Sequence, residues 1–181
     1  MFFLRKSSLE RLPVAMSGVR MGERALQIGV DDPSLMGAIA AKVGLSGHAA
    51  VAVAGERQAE RARTAAARAG ALVDVQVTAL DALPFSRDSF DVVVLHAAGV
   101  TDVLDEASGV SMLRETHRVL RSGGRIVVIE GGPHPGLLAR FRAPRRSGAG
   151  DVPGALGAAG FKAARMLAER EGCRFFEGLK A

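Results

Sequence analysis

Four histidines, one cysteine and a few acids near predicted strand ends are where this chain could do chemistry. His96 stands out, because it follows the apolar run Val92, Val93 and Val94 and shares the parity of Val92 and Val94. That position ends a buried strand at the edge of a crevice, and an imidazole that titrates near neutrality suits a general base. The same residue could instead only bond a neighbouring carbonyl, so both readings of His96 stand. His117 falls on the apolar stripe of Val110, Leu113 and Leu120 and is expected at a core edge. His48 and His134 lie in loops, with no ligand spacing to each other or to acids, so no metal site is expected. Cys173 is alone, which excludes an internal disulfide or a cysteine cluster and fits a reducing setting. No G-x-G-x-x-G occurs, which argues against a nicotinamide dehydrogenase.

The elements that must position these residues alternate. Ala25–Val30 reads as a first strand, and Asp31 and Asp32 precede Pro33 at the start of a helix running to about Val43. Ala49–Ala54 is the second strand, Glu56–Ala69 an alanine-rich helix stopped by Gly70, and Val73–Val77 the third strand. From Phe90 the run FDVVVLHAAGVTDVLDEASGVSMLRETHRVLRSGGRIVVIEG reads as strand, loop, helix, glycine turn at Gly123 and Gly124, and strand. Before the first strand, Ser8–Arg11 could start a short helix that Pro13 disrupts. Gly132–Gly157 has no period and is rich in Gly, Pro and Arg, so it reads as a long loop, and Ala158–Phe161 closes a short helix. Ala163–Ala168 and Cys173–Leu179 then form a hairpin across Glu171 and Gly172. The expected fold is α/β: a Rossmann-like, doubly wound, mostly parallel seven-stranded sheet with a C-terminal antiparallel hairpin. Residues 1–24 are an N-terminal segment and 25–181 a single domain with its loop at about 132–157.

The run RVLRSGGRIVVIE, close to "RVLKPGGRLVI", resembles the fourth and fifth strands of class I S-adenosylmethionine (SAM) dependent methyltransferases, especially those of quinone biosynthesis. The "AAGF" before the hairpin resembles the same family, and the likeness spans about Arg20 to Leu179. It implies SAM as cofactor and three contact regions. The family's Asp-x-Gly-x-Gly-x-Gly turn falls on Gln27 to Pro33, of which Gly29 alone is kept, with Asp31 and Asp32 as nearby polar groups. The family pattern "RVGPxGxVVGVDxSxxMxxxAR", laid on Lys42–Arg63, puts Val53 where an acid should receive the ribose hydroxyls; Glu56 is the nearest substitute. In "GDAxxLPF" the acid that receives the adenine amino group falls on Ala79, while Leu83, Pro84 and Phe85 match and Asp81 lies two residues away. Losing a charge-assisted hydrogen bond costs about 1.5–3 kcal/mol, roughly ten- to a hundredfold in affinity.

The candidate set is therefore His96 for catalysis and Gly29, Asp31, Asp32, Glu56 and Asp81 for the cofactor. Two functions follow: a divergent SAM-dependent methyltransferase acting on a small acceptor, or a non-catalytic relative kept as a binding or scaffolding subunit. With 48% hydrophobic residues, 181 residues suffice for one core. The formal charge of +5 is diffuse apart from Arg140, Arg142, Arg145 and Arg146, which lack an aromatic platform, so nucleic acid is not an expected partner. That cluster, or Phe2 and Phe3, could meet a protein partner. No stretch has the length of a membrane span, and a cytoplasmic location is expected.

Overall fold

The computed structural model describes residues 12–97, 107–131 and 151–181. Phe2, Phe3, His134 and the Arg140–Arg146 cluster lie outside the described residues. Within them, α1 (Leu12–Met16) leads to β1 (Arg24–Ile28), α2 (Pro33–Val43), β2 (His48–Val53), α3 (Glu56–Ala69) and β3 (Asp74–Val77). The second half runs β4 (Phe90–Ala97), α4 (Ala107–Val119), β5 (Leu120–Gly131), α5 (Val152–Ala158), β6 (Lys162–Arg170) and β7 (Cys173–Leu179).

The strands form one sheet in the order β3-β2-β1-β4-β5-β7-β6. The β1–β2, β2–β3, β1–β4 and β4–β5 ladders are parallel, and β7 lies antiparallel between β5 and β6. Both faces are covered, which is why the central strands are apolar without alternation. On one face Leu26, Ile28, Val93, Leu95, Ile126 and Val128 pack with residues of α4 and α5 such as Leu113 and Leu156. On the other, Ala25, Val92, Val94, Val127 and Ile129 meet Val14 of α1 and Leu35, Ile39 and Val43 of α2. Helix α3 adds Ala59, Ala62 and Ala65 over Val51 and Val53.

The amino ends of the strands are held by charge. Arg125 donates from Nη1 to Glu23 Oε1 (3.1 Å) and from Nη2 to Gly18 O (2.5 Å), tying the segment before β1 to β5. Asp91 accepts from Arg24 N (2.6 Å) and Arg121 Nε (2.5 Å). Buried Lys180 donates to Asp88 Oδ1 (2.7 Å) and Leu120 O (2.6 Å).

Several expectations change. Pro13 lies inside α1 instead of disrupting it, because a first helical turn needs no N–H from it. The first strand ends at Ile28, so Gly29 and Val30 belong to the turn that follows it. Helix α4 stops at Val119, before the glycines, because Leu120 is already drawn into the sheet opposite Phe90. Residues 152–157, expected in the loop, are helical: α5 begins at Val152, with Asp151 accepting from Gly154 N (2.9 Å), and buries Val152 and Leu156 one turn apart, while residues 132–150 lie outside the described residues. A helix of this length shows too little of its period to be read from sequence.

The loop after β3 is clamped by α4. Arg118 donates to Glu115 Oε1 (2.8 Å), Phe85 O (2.9 Å) and Leu83 O (3.0 Å), while Leu83 N donates to Glu115 Oε2 (3.0 Å). The Arg118 hydrogen bond holds the Glu115 carboxyl below its usual range, against burial. Arg118→Leu strands this half-buried carboxylate and two carbonyls, and urea unfolding should show a loss of about 2–3 kcal/mol. A variant as stable as the parent would contradict the clamp.

His117 sits where expected, half-buried with its ring edge-on to Phe161 at 5.0 Å. Burial, then Lys180 and Arg87, push its pKa below the ordinary 6.5, with Asp88 opposing. The unfolded chain thus binds this proton more readily, so the contribution is complete above about pH 6.5 and is lost as pH falls below it. His117→Leu should flatten the stability curve between about pH 7 and 5 relative to the parent. Parallel curves would contradict this assignment.

Candidate functional site

Helices connect β1 to β2 on one face and β4 to β5 on the other, so the chain turns away in opposite directions beyond β1 and β4. The resulting crevice at the carboxyl ends of the strands is where an open α/β sheet binds ligands. Gly29 follows β1 at φ +82°, and its N donates to Ala52 O (3.1 Å), holding the tip of β1 to β2. A Cβ at Gly29 would lie 3.2 Å from His96 O, so only glycine lets these two strand ends close together. Behind it the buried Gln27 donates from Nε2 to Met36 O (3.1 Å), tying β1 to the first turn of α2.

His96 is half-buried on β4, opposite Ile129 of β5, with Nε2 3.3 Å from Gly131 O. A carbonyl only accepts, so this bond puts the hydrogen on Nε2 and leaves Nδ1 as an acceptor. Further along the rim, Glu130 of β5 is buried and ion-paired with Arg174 of β7, whose guanidinium lies 5.7 Å from the Phe176 ring centre. This pair carries no motif and was not among the expected site residues.

The acids are scattered. Asp32 caps α2, accepting from Leu35 N (3.0 Å). Asp31 is exposed, and its carbonyl accepts from Arg61 Nη2 (3.4 Å). Glu56 accepts from Arg63 Nη1 (2.6 Å) on the outside of α3, where its side chain is 68% exposed. Asp81 is exposed in the turn after β3, where Thr78 Oγ1 donates to Ala82 O (3.1 Å). The site thus brings together Gly29 and His96, and places Glu56 on a solvent-facing ion pair. Val53 is 0% exposed, packed with Val30, Met36 and Ala59. One residue on, Ala54 N donates to Gln58 Oε1 (3.2 Å). Sequence reasoning missed Gln58, although a Gln in the first turn of a helix often reaches back to a preceding N–H.

Residues 35–128 match the family model described as "Methyltransferase domain". A ubiquinone/menaquinone biosynthesis C-methyltransferase from Cellvibrio japonicus is 32% identical over 134 residues, covering 72% of this chain and 52% of the relative. The protein of that name from Teredinibacter turnerae is 31% identical over 123 residues, covering 67% and 48%. The chain spans about half or less of the length of the curated relatives it matches. A SAM-dependent methyltransferase from Aquifex aeolicus superposes with a TM-score of 0.75 at 15% identity, covering 93% of this chain and 87% of that one, a likeness of fold.

The cofactor of this family is SAM. It needs a close main-chain approach for its amino-acid end and polar partners for its ribose and base. Gly29 meets the first need, and the space beside Gly55, where an added Cβ would meet nothing within 4 Å, leaves room at the tip of β2. Val53 and Ala79 offer no side-chain acceptor, while main-chain groups and the Gln58 amide lie at the tip of β2. The residues present leave room for the cofactor at the tips of β1 and β2. On fold, matched sequence and crevice together, the chain belongs to the class I S-adenosylmethionine-dependent methyltransferases.

Proposed function

We propose that the chain transfers a methyl group from SAM to a small, proton-bearing acceptor, with His96 as the base. The observation that carries this reading is the juxtaposition of the Gly29 turn with His96 on adjacent strands at the crevice. Bound SAM supplies a methyl carbon already activated by its sulfonium, so the protein's work is to orient the acceptor and receive a proton. Gly29 and the turn through Val30 would hold the amino-acid end, and the tip of β2 the nucleoside. Gly131 O fixes the His96 ring, and Nδ1 takes the proton that the acceptor loses as its new bond to carbon forms. The electron pair of the broken bond stays on sulfur, giving S-adenosylhomocysteine.

The curated relatives' names place them in quinone biosynthesis, which supports a small acceptor as the class. Calorimetric titration with SAM should give one-to-one binding with a submillimolar Kd, weaker than a site with both carboxylates intact by roughly ten- to a hundredfold for each one lost. Absence of heat at about 10 mM ligand would contradict the reading.

His96→Gln should leave the SAM Kd within about twofold. Transfer of labelled methyl from SAM into the low-molecular-mass fraction of a cell extract should fall by about 10²–10⁴. Undiminished transfer would remove His96 from the chemistry.

A further inference from the structure

We infer that Gln58 reads the ribose of the bound cofactor, its neutral carboxamide taking the place of a carboxylate at the tip of β2. The inference rests on the cofactor reading above and deepens it.

A ribose offers two hydroxyls, each able to donate and to accept, and leaving them unmet in a cleft costs affinity. The strand end nearest them provides no partner of its own, since Val53 is 0% exposed and points into the apolar cluster under α3. The next acid along, Glu56, is spent on Arg63 at 2.6 Å on the far side of the helix. Gln58 does the opposite. It folds back from the first turn of α3, and its Oε1 accepts from Ala54 N at 3.2 Å, one residue beyond Val53.

That bond orients the amide. With Oε1 committed to the main chain, Nε2 is the group left over, and it donates to no described residue. The side chain is half-buried, and its bond to Ala54 N keeps it beside the tip of β2. Beside it, the position of a Cβ on Gly55 is open for 4 Å around. A half-buried donor next to open space, at the strand end where a nucleoside sits, suits a hydroxyl oxygen. A neutral amide also discriminates less than a carboxylate, by about three- to tenfold instead of ten- to a hundredfold.

The test is calorimetry with S-adenosylhomocysteine and its 2′-deoxy and 3′-deoxy forms. The parent protein should bind the full ligand about three- to tenfold tighter than at least one deoxy form. In Gln58→Ala the full ligand should weaken to the level of the deoxy form, so the ratio falls to about one. Gln58→Glu keeps an acceptor for Ala54 N and adds an oxygen that can accept from the hydroxyls, so its ratio should exceed about tenfold. This variant keeps the test informative if removal of the cap unsettles α3. A parent protein that does not distinguish the three ligands overturns the inference, as does a ratio unchanged in both variants, while the cofactor reading stands. Absence of binding by S-adenosylhomocysteine in all three proteins overturns the cofactor reading and the inference with it.

Discussion

The contact on which the rest of this molecule depends is the approach of β1 to β4 at their carboxyl ends. The two strands pair in parallel from Ala25 opposite Val92 to Ile28 opposite Leu95. They then part, because the helices that follow them lie on opposite faces of the sheet. At the point of parting the main chain of Gly29 sits so close to the carbonyl of His96 that a methyl group would crowd it at 3.2 Å. Glycine at that one position closes the sheet and opens the cleft at once. The amino ends of the same strands are fastened by the Glu23–Arg125, Asp91–Arg121 and Asp88–Lys180 pairs. The ion pairs fix the sheet at that end, while glycine and small side chains shape the other.

Much of this architecture was legible because the information is local and redundant. Helix α2 has a capping Asp32, Pro33 in its first turn and Gly44 after its last residue, and α3 is bounded by Gly55 and Gly70; both run as read from the sequence. The apolar runs of β1, β4 and β5 could belong only to strands buried on both faces. Where one signal had to decide alone, the reading slipped. Pro13 reads as a breaker, yet it sits in the first turn of α1, and Gly123 and Gly124 read as the stop of α4, yet pairing of Leu120 with Phe90 ends it earlier. The short α5 rests on two apolar side chains and a cap, and has too few turns to declare itself.

The site was less legible than the fold for a physical reason. Sequence spacing tells which residues stand near a strand end but not which way a side chain turns once its neighbours compete for it. Glu56 is near the tip of β2 in number, yet Arg63, seven residues on, draws it to the outer face. Asp32 is claimed by the amide of Leu35. Gln58 carries no charge to mark it among charged neighbours, yet its Oε1 reaches back to accept from Ala54 N at 3.2 Å. His96 was placed correctly, since strand parity alone fixes its face, and its bond to Gly131 O leaves one ring nitrogen as an acceptor.

The central claim is that the tips of β1 and β2 form the cofactor cradle without carboxylates. Backbone amide shifts of ¹⁵N-labelled protein, followed as S-adenosylhomocysteine is added, test it most directly. The account predicts the largest movements at Gly29, Val30, Ala54 and Gly55, saturating together, with Glu56 and Arg63 side-chain geometry undisturbed. Saturating shifts confined to the amino ends of the strands, or no movement at the β1 and β2 tips, would contradict it.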